Sequence, residues 1–280
     1  MLASYTNKRI LKSDEMKKYL VIGNPIEHSL SPRLHNYWIK QSNIQAIYEK
    51  KLLEEQDLKK IVNDIKSDKI SGINVTVPFK KPIIPFLDKL SVEARRTQSV
   101  NTVSKINNEI CGHNTDVRGF DQSLNQLNYK AKGKKAFVLG AGGVTSSIIW
   151  ALESLGILKI FISNRTKQKA EEIKKLFPKI EILDWGKKPK EFDMVVNTTS
   201  VGLNDNEEIA IDFSDCKEKL FYDVIYNPSQ TKFLLKAGRD SRNDTKNGLG
   251  MFVYQARESF KIWHGFAPEI DEKIYTMLGE

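Results

Sequence analysis

The sequence predicts an α/β protein made of two wound α/β domains. Short β-rich runs alternate with charged segments of helical period from Tyr19 onward. One of those runs opens directly into a glycine-rich turn. The chain is also long enough, at 280 residues with 40% hydrophobic content, to fill two ordinary cores.

Strands are expected at Tyr19–Ile22, Gly72–Val77, Ala136–Leu139, Lys159–Ile162, Met194–Asn197 and Leu220–Val224. Between them, Glu55–Ile65 and Lys167–Leu176 carry apolar residues at helical spacing with lysines and acids opposite, the pattern of surface helices over a sheet. Lys130–Lys135, with Gly133, reads as the turn that opens a second half of the chain. The helical pattern before it, Val117–Leu127, is placed to bridge two domains. Leu249–Leu278 has the apolar rhythm of helices without a strand, and is expected to pack back on the first domain.

The formal net charge of +9 is spread along the chain, with lysines beside acids in Lys50–Lys60 and Lys167–Lys175. That describes a solvated surface compatible with anionic substrates and lacks the clustered basic face of a nucleic-acid binder. The longest apolar stretches, Ala136–Leu139 and Ile157–Ile162, fall well short of the ~20 residues that a bilayer demands. Met1–Lys18 mixes lysines with acids and lacks the apolar centre of a signal peptide, so a cytoplasmic location is expected. Cys111 and Cys216 stand far apart without companion ligands, which points to two free thiols and to neither a metal site nor a disulfide.

Phe137-Val138-Leu139 runs into Gly140-Ala141-Gly142-Gly143-Val144-Thr145 and then the helical run Ser146–Leu155. This is the strand, turn and helix order of a dinucleotide site, with Thr145 in place of the third glycine. Gly140 permits the tight turn, Gly142 lets a pyrophosphate approach the backbone, and the helix N-terminus supplies unpaired N–H groups. After the next strand the chain reads Ser163-Asn164-Arg165-Thr166. An acid there would suit the ribose 2'-hydroxyl of NAD, whereas Arg165 pairs with a 2'-phosphate, so NADP is favoured. Lys169, one helical turn on, adds a second positive charge. Asn197-Thr198-Thr199-Ser200-Val201-Gly202 follows another strand, at the edge where the ribose and nicotinamide would pass.

In the first half, Gly23-Asn24-Pro25-Ile26-Glu27-His28-Ser29-Leu30-Ser31-Pro32 ends a strand and begins a helix, with Ser31 as N-cap and Pro32 first in the helix. Two hydroxyls, Ser29 and Ser31, then stand beside a positive helix end suited to a carboxylate. In Asn74-Val75-Thr76-Val77-Pro78-Phe79-Lys80, alternation turns Val75 and Val77 to one side and Asn74 and Thr76 to the other. Pro78 stops the strand and Lys80 emerges at its carboxyl end, where the catalytic groups of such sheets gather. Asn101-Thr102 and His113-Asn114-Thr115-Asp116 each follow a short extended run, and Asp116 opens a helix from Val117, where capping is its simplest role.

Taken in order, these segments resemble the shikimate dehydrogenase family over nearly the whole chain. The resemblance is carried further by Val100-Asn101-Thr102, Asn114-Thr115-Asp116, and Asn247-Gly248-Leu249-Gly250-Met251 leading to Gln255-Ala256. It implies a substrate domain and a Rossmann-like NADP-binding domain with a cleft between them. The substrate domain is then discontinuous, residues 1–115 plus the C-terminal helices 248–280, with the NADP domain, 116–247, inserted. The implied activity is reversible NADPH-dependent reduction of 3-dehydroshikimate to shikimate, a step of chorismate and aromatic amino acid biosynthesis. Ser29, Ser31, Asn74, Thr76, Lys80, Asn101, Asp116 and Gln255 would surround shikimate, with Tyr226 facing the cleft from the cofactor side. The cofactor would lie against Gly140, Ala141, Gly142, Gly143, Val144, Asn164, Arg165, Thr166, Lys169, Thr198, Thr199, Ser200, Val224, Gly248 and Met251.

Three positions depart from the family pattern. Gln98 and Ser99 stand where glycine and alanine are common, Lys169 stands where arginine is frequent, and Met1–Lys18 precedes the usual start. Lys80 is the expected proton-transfer group, acting with Asp116 as one coupled unit, because moving a hydride off or onto a carbinol carbon requires a proton to move at its oxygen. The partner is a small molecule, with neither nucleic acid nor membrane, and the chain acts as monomer or homodimer. The alternatives are a quinate/shikimate dehydrogenase using NAD, and a non-catalytic sensor that keeps the ligand clamp.

Overall fold

The computed structural model describes residues 16–204 and 207–279. The expected strands assemble, with six more, into two six-stranded sheets. The first half contains β1 (Lys17–Gly23), α1 (Ser31–Gln41), β2 (Ala46–Leu52), α2 (Leu58–Lys66), β3 (Gly72–Val75), β4 (Lys89–Leu90), α3 (Val92–Thr97), β5 (Thr102–Ile106) and β6 (Glu109–His113). Their strands lie in the order β2-β1-β3-β5-β6-β4. The β2-β1-β3 part is parallel, and β5 and β6 add on as an antiparallel pair. Period-two alternation divides the apolar residues between its faces. Leu20, Ile22, Ile73 and Val75 pack with Leu58, Ile61, Val62 and Ile65 of α2.

The helix α4 (Asp116–Gln126) leads into the second half, β7 (Lys135–Leu139), α5 (Thr145–Ser154), β8 (Lys159–Ser163), α6 (Lys167–Leu176), β9 (Glu181–Leu183), β10 (Met194–Asn197), β11 (Leu220–Asp223), α7 (Lys232–Ala237) and β12 (Asp244–Lys246). The chain closes with α8 (Leu249–His264) and α9 (Glu272–Leu278). The strand order is β12-β11-β10-β7-β8-β9 and every pairing is parallel. This is the doubly wound dinucleotide arrangement, whose direction reverses between β7 and β10. As expected, the segment from Leu249 to Leu278 holds no strand, and α8 returns to the first sheet. Its Phe252, Val253, Ala256 and Phe260 pack on Tyr19, Val21 and Tyr48 beside Leu34 and Trp38 of α1.

Several boundaries differ from the sequence expectation. The strand expected over Gly72–Val77 ends at Val75, because the Thr76 carbonyl accepts from the Phe79 N–H at 2.9 Å and closes a turn. Val77 is therefore 51% exposed, and does not share the core face of Val75. The helix expected from Glu55 begins as a short 3-10 turn, Glu55–Asp57, before α2. Of the strands that the sequence hides, β2 buries only Tyr48 and β12 is exposed throughout, as edge strands are. The extension Met1–Lys18 reaches β1 at Lys17, and its residues 1–15 lie outside the described residues.

The helix expected to bridge the halves does so. Val117, Phe120 and Leu124 of α4 enter the core beneath β7 with Ala136, Val138, Ile148 and Leu152. On its other side, Gly119 meets α8 so closely that a Cβ there would stand 2.7 Å from the Met251 carbonyl oxygen and 2.8 Å from Gln255 Cβ. A side chain at this position would push apart two helix backbones that cannot give way as flexible side chains do.

Asp223, at the end of β11, is fully buried. Its carboxylate accepts from Asn197 Nδ2 at 3.0 Å, Thr231 Oγ1 at 2.6 Å and the Ile225 N–H at 3.0 Å, joining the loops after β10 and β11. Desolvation by burial nevertheless pushes its carboxyl up to about 6.

Two outcomes are expected. Gly119→Ala exchanges a helix-propensity gain of about 1 kcal/mol for an overpacking cost of about 1–3 kcal/mol. The cost should win because the crowding atoms are backbone, lowering the denaturant midpoint; an unchanged or raised midpoint would refute this packing argument. For Asp223, the folded pKa lies above the ordinary carboxyl value, so stability is lost as pH rises from about 4 through about 6. Asp223→Asn should therefore gain on the parent between pH 4 and pH 7, by up to about 3 kcal/mol at about 1.4 kcal/mol per pKa unit. Denaturant titrations of both proteins at the two pH values check this, and a difference independent of pH would contradict it.

Candidate active site

Lys80 lies in the turn that follows β3. Phe79 beside it is buried among the aliphatic residues of the first core, and the Lys80 carbonyl accepts from the Val100 N–H at 2.8 Å, so the lysine springs from a fixed base. Its Nζ donates to Asp116 Oδ2 at 2.6 Å, with the two side chains 13% and 7% exposed. Asp116 is the first residue of α4, and the capping position belongs to Thr115. The capping role suggested for Asp116 by its sequence position is thus corrected by one residue. Asn114 Oδ1 accepts the Asp116 N–H at 3.1 Å, which frees the Asp116 carboxylate for Lys80. A carboxylate in the first turn also gains from the helix dipole.

Asn101, just before β5, donates from Nδ2 to the other carboxylate oxygen, Asp116 Oδ1, at 2.9 Å. The same group lies 3.3 Å from Gln255 Oε1 on α8. Lys80, Asp116, Asn101 and Gln255, drawn from four separate segments, are thereby one hydrogen-bonded group. Asn74 joins it through the Asn101 carbonyl at 3.0 Å, and its Oδ1 accepts from the Tyr48 hydroxyl at 2.7 Å.

Burial pushes the Tyr48 phenol up, and Ser31 lies close enough for its hydroxyl to favour the phenolate against that burial. Ser31 is the first residue of α1, and Leu30 occupies the capping position with no side-chain bond, so Ser31 is not the N-cap and Pro32 is second in the helix. The reason is that Leu30 is already helical, with φ −85 and ψ −5. Ser29 supplies the local bond by accepting the Ser31 N–H at Oγ, 3.3 Å away. Thr76 is half-buried against the backbone of Gly23, where an added Cβ would stand 2.5 Å from Thr76 Cγ2. Tyr226 stacks on Phe252 of α8 at 4.6 Å between ring centroids.

Tyr48, Thr102, Thr115 and Ser259 belong to this cluster; the sequence marked Thr102 and Thr115 only as members of motifs and did not single out Tyr48 or Ser259. Tyr48 is the lone buried residue of β2, an edge strand whose other residues are half-buried or exposed. Its ring stacks on His35 at 4.2 Å, and burial pushes His35 down to about 3, which keeps that imidazole neutral at ordinary pH. Ser259 follows Gln255 by four residues, so it shares its helix face; that spacing was the available signal.

The glycine-rich turn at the end of β7 stands opposite. Gly140 has φ +103 and lies so near Thr198 that a Cβ would meet its Oγ1 at 2.8 Å. The Ala141 N–H donates to Asn164 Oδ1 at 3.1 Å, and the Gly142 N–H to Thr145 Oγ1 at 2.9 Å. The N–H groups of Gly143 and Val144 have no partner among the described residues, which leaves two adjacent donors at the start of α5. Thr198 is buried and gives its hydroxyl to the Leu139 carbonyl at 2.7 Å, while Thr199 and Ser200 continue that wall. Gly248 permits contact with Val224, since a Cβ on it would fall 2.1 Å from the Val224 carbonyl oxygen. The Met251 side chain is buried in the core beneath β7.

Arg165 and Lys169 are exposed beyond β8 and form no ion pair among the described residues, while Asn164 Nδ2 holds the Thr166 carbonyl at 2.7 Å. An exposed, unpaired guanidinium near free backbone donors fits a phosphorylated dinucleotide. Gln98 and Ser99, the departures from the family pattern, form a sound turn. Gln98 takes the left-handed conformation at φ +50, and Ser99 Oγ donates to the Gly143 carbonyl at 3.2 Å, tying the first half to the glycine turn. A Cβ on Gly143 would lie 4.0 Å from Lys80 Cδ, so the ion pair and the turn face each other.

Comparison with known proteins agrees with this geometry. The chain matches the family models described as "Shikimate dehydrogenase substrate binding domain" over residues 21–103, "Shikimate / quinate 5-dehydrogenase" over 122–222 and "Shikimate 5'-dehydrogenase C-terminal domain" over 248–272. It is 54% identical over 263 residues to the shikimate dehydrogenase (NADP(+)) of Pelagibacter ubique, covering 94% of this chain and 98% of that one. The crystal structure of shikimate dehydrogenase from Aquifex aeolicus superposes with a TM-score of 0.86 at 37% identity, covering 96% of this chain and 99% of the other. The Thermus thermophilus shikimate 5-dehydrogenase, solved in complex with NADP(H) and shikimate, superposes with a TM-score of 0.83 at 30% identity, covering 94% and 97%. No helix among the described residues is long and apolar enough to cross a membrane. The chain belongs to the shikimate dehydrogenase family.

Proposed function

We propose that the Lys80–Asp116 pair is the proton-handling centre of a shikimate dehydrogenase that reversibly reduces 3-dehydroshikimate to shikimate with NADPH. The observation that carries this reading is the 2.6 Å ion pair, nearly buried and turned toward the glycine-rich turn. Bound NADPH supplies the hydride. In the reduction direction the Lys80 ammonium, with one N–H held by Asp116, offers its remaining N–H groups to the carbonyl oxygen and gives a proton to the developing alkoxide. In oxidation the amine receives that proton from the hydroxyl. Asp116 and Asn101 fix the position of Nζ, and Gln255 presents an amide to the substrate ring. Ser29 and Ser31, beside the start of α1, hold the carboxylate.

On the cofactor side, Gly143 and Val144 donate N–H groups to the pyrophosphate, Arg165 pairs with the 2'-phosphate and Lys169 adds to it. Residues 1–115 and 248–280 form the substrate domain and 116–247 the NADP domain, with α4 and α8 joining them and the cleft closing when both ligands are bound. The enzyme acts in the cytoplasm of aromatic amino acid-producing cells as a monomer or homodimer.

Initial rates with shikimate or quinate, each with NADP or NAD, test the reading; activity led by shikimate with NADP is expected, and no activity in any combination would overturn it. Lys80→Ala should lower kcat about 10²–10⁴-fold, the range for loss of a general acid-base group, with a much smaller change in the shikimate KM. Turnover equal to the parent in a folded variant would remove Lys80 from the chemistry. Arg165→Ala should raise the NADP KM about 10- to 100-fold, as for loss of a charged hydrogen bond of about 1.5–3 kcal/mol, and leave the NAD KM unchanged. Equal effects on both cofactors would show that Arg165 does not read the 2'-phosphate.

A further inference from the structure

Behind the amides proposed to hold the substrate lie three fully or nearly buried hydroxyls, Thr102 of β5, Thr115 at the cap of α4 and Ser259 of α8. They form a triangle, with Thr102 Oγ1 2.8 Å from Ser259 Oγ, Thr115 Oγ1 3.2 Å from Ser259 Oγ and the two threonines 3.4 Å apart. Ser259 donates its own proton to the Gln255 carbonyl at 3.0 Å, so toward its neighbours its oxygen serves as an acceptor. Asn74 Nδ2 lies 2.9 Å from it, but the two hydrogens of that amide are taken up by the Asn101 carbonyl and Thr102 Oγ1, each at 3.0 Å, so both Ser259 lone pairs are open to the two threonine hydroxyls.

The alternatives open to those threonines give Ser259 its importance. The Thr102 hydroxyl otherwise reaches Asn101 Oδ1 at 3.1 Å. The Thr115 hydroxyl otherwise reaches Asn101 Oδ1 at 3.1 Å or Gln255 Oε1 at 3.5 Å. Asn101 Oδ1 already accepts the Thr115 N–H at 2.8 Å, and each amide oxygen has only two lone pairs. Without the Ser259 oxygen, the threonine protons turn onto the amide oxygens of Asn101 and Gln255. Gln255 then has less acceptor capacity for a hydroxyl of the substrate.

We infer that Ser259 is a positioning residue that draws the Thr102 and Thr115 hydroxyls away from Asn101 and Gln255, so that the Gln255 amide oxygen, which faces Asn101 Nδ2 at 3.3 Å, keeps its second lone pair open for a ring hydroxyl of a polyhydroxylated cyclic acid. This rests on the active-site reading given above. Asn74 isolates the effect from folding: its two amide hydrogens face three acceptors, the Asn101 carbonyl, Thr102 and Ser259, so removal of Ser259 Oγ still leaves it fully bonded.

Steady-state kinetics of the parent, Ser259→Ala and the near-isosteric Thr102→Val test the inference. Ser259→Ala should raise the shikimate KM about 3- to 10-fold, the scale of one hydrogen bond, with kcat and the NADP KM within about twofold of the parent. Thr102→Val removes one of the protons that Ser259 draws off while sparing the acceptor, so it should raise the shikimate KM less than Ser259→Ala does. An unchanged shikimate KM in Ser259→Ala, a parallel rise in the NADP KM, or a larger effect from Thr102→Val would each overturn the positioning role. An inactive parent enzyme would instead defeat the underlying active-site reading.

Discussion

The contact between α4 and α8 through Gly119 is the constraint on which the site depends. One helix is rooted in the core of the dinucleotide sheet and the other in the core of the first sheet, and their backbones meet where no side chain intervenes. The N-terminus of α4 delivers Asp116 and Thr115, and the middle of α8 delivers Gln255 and Ser259. A wider separation would leave Asn101 out of reach of either Asp116 or Gln255, since its one amide nitrogen spans both. Packing at a glycine thus sets hydrogen-bond geometry a helical turn away.

The polar cluster created there is satisfied almost entirely by its own members. Burying an ion pair costs desolvation that only good geometry and additional hydrogen bonds offset. At Asp116 one carboxylate oxygen meets Lys80 and the other meets Asn101, so neither is left without a partner. Lys80 keeps N–H groups in hand on the side of the glycine turn. Across the cleft the division is similar, because Asn164 and Thr145 engage the amides of Ala141 and Gly142 and leave those of Gly143 and Val144 for a ligand. Both halves hold a few donors fixed by their neighbours and unspent.

Much of this was legible in the sequence because the relevant residues follow strands. The glycine turn after Leu139, Arg165 after the next strand, and Lys80 after the first-half strand all sit at carboxyl ends of a wound sheet, where ligands lie. The order of the motifs also carried the family. What was not legible depends on long-range contact: Ser259 joins the cluster by meeting Thr102 and Thr115, 157 and 144 residues away, and Tyr48 by meeting Asn74 from a mostly exposed edge strand. Helix starts were misplaced by one residue at Ser31 and Asp116, because a capping side chain and a first-turn side chain look alike until the backbone of Leu30 or Thr115 is known. For Asp116 that single residue separates a cap from a group that faces Lys80.

The most direct measurement of the central claim is a crystal structure of the chain with NADP and shikimate bound together. The account predicts Lys80 Nζ within about 3.2 Å of the shikimate hydroxyl that reacts, with Asp116 still on the opposite side of the ammonium and Arg165 against the 2'-phosphate. A shikimate ring bound away from Lys80, or an Asp116 carboxylate turned from the lysine in that complex, would contradict it.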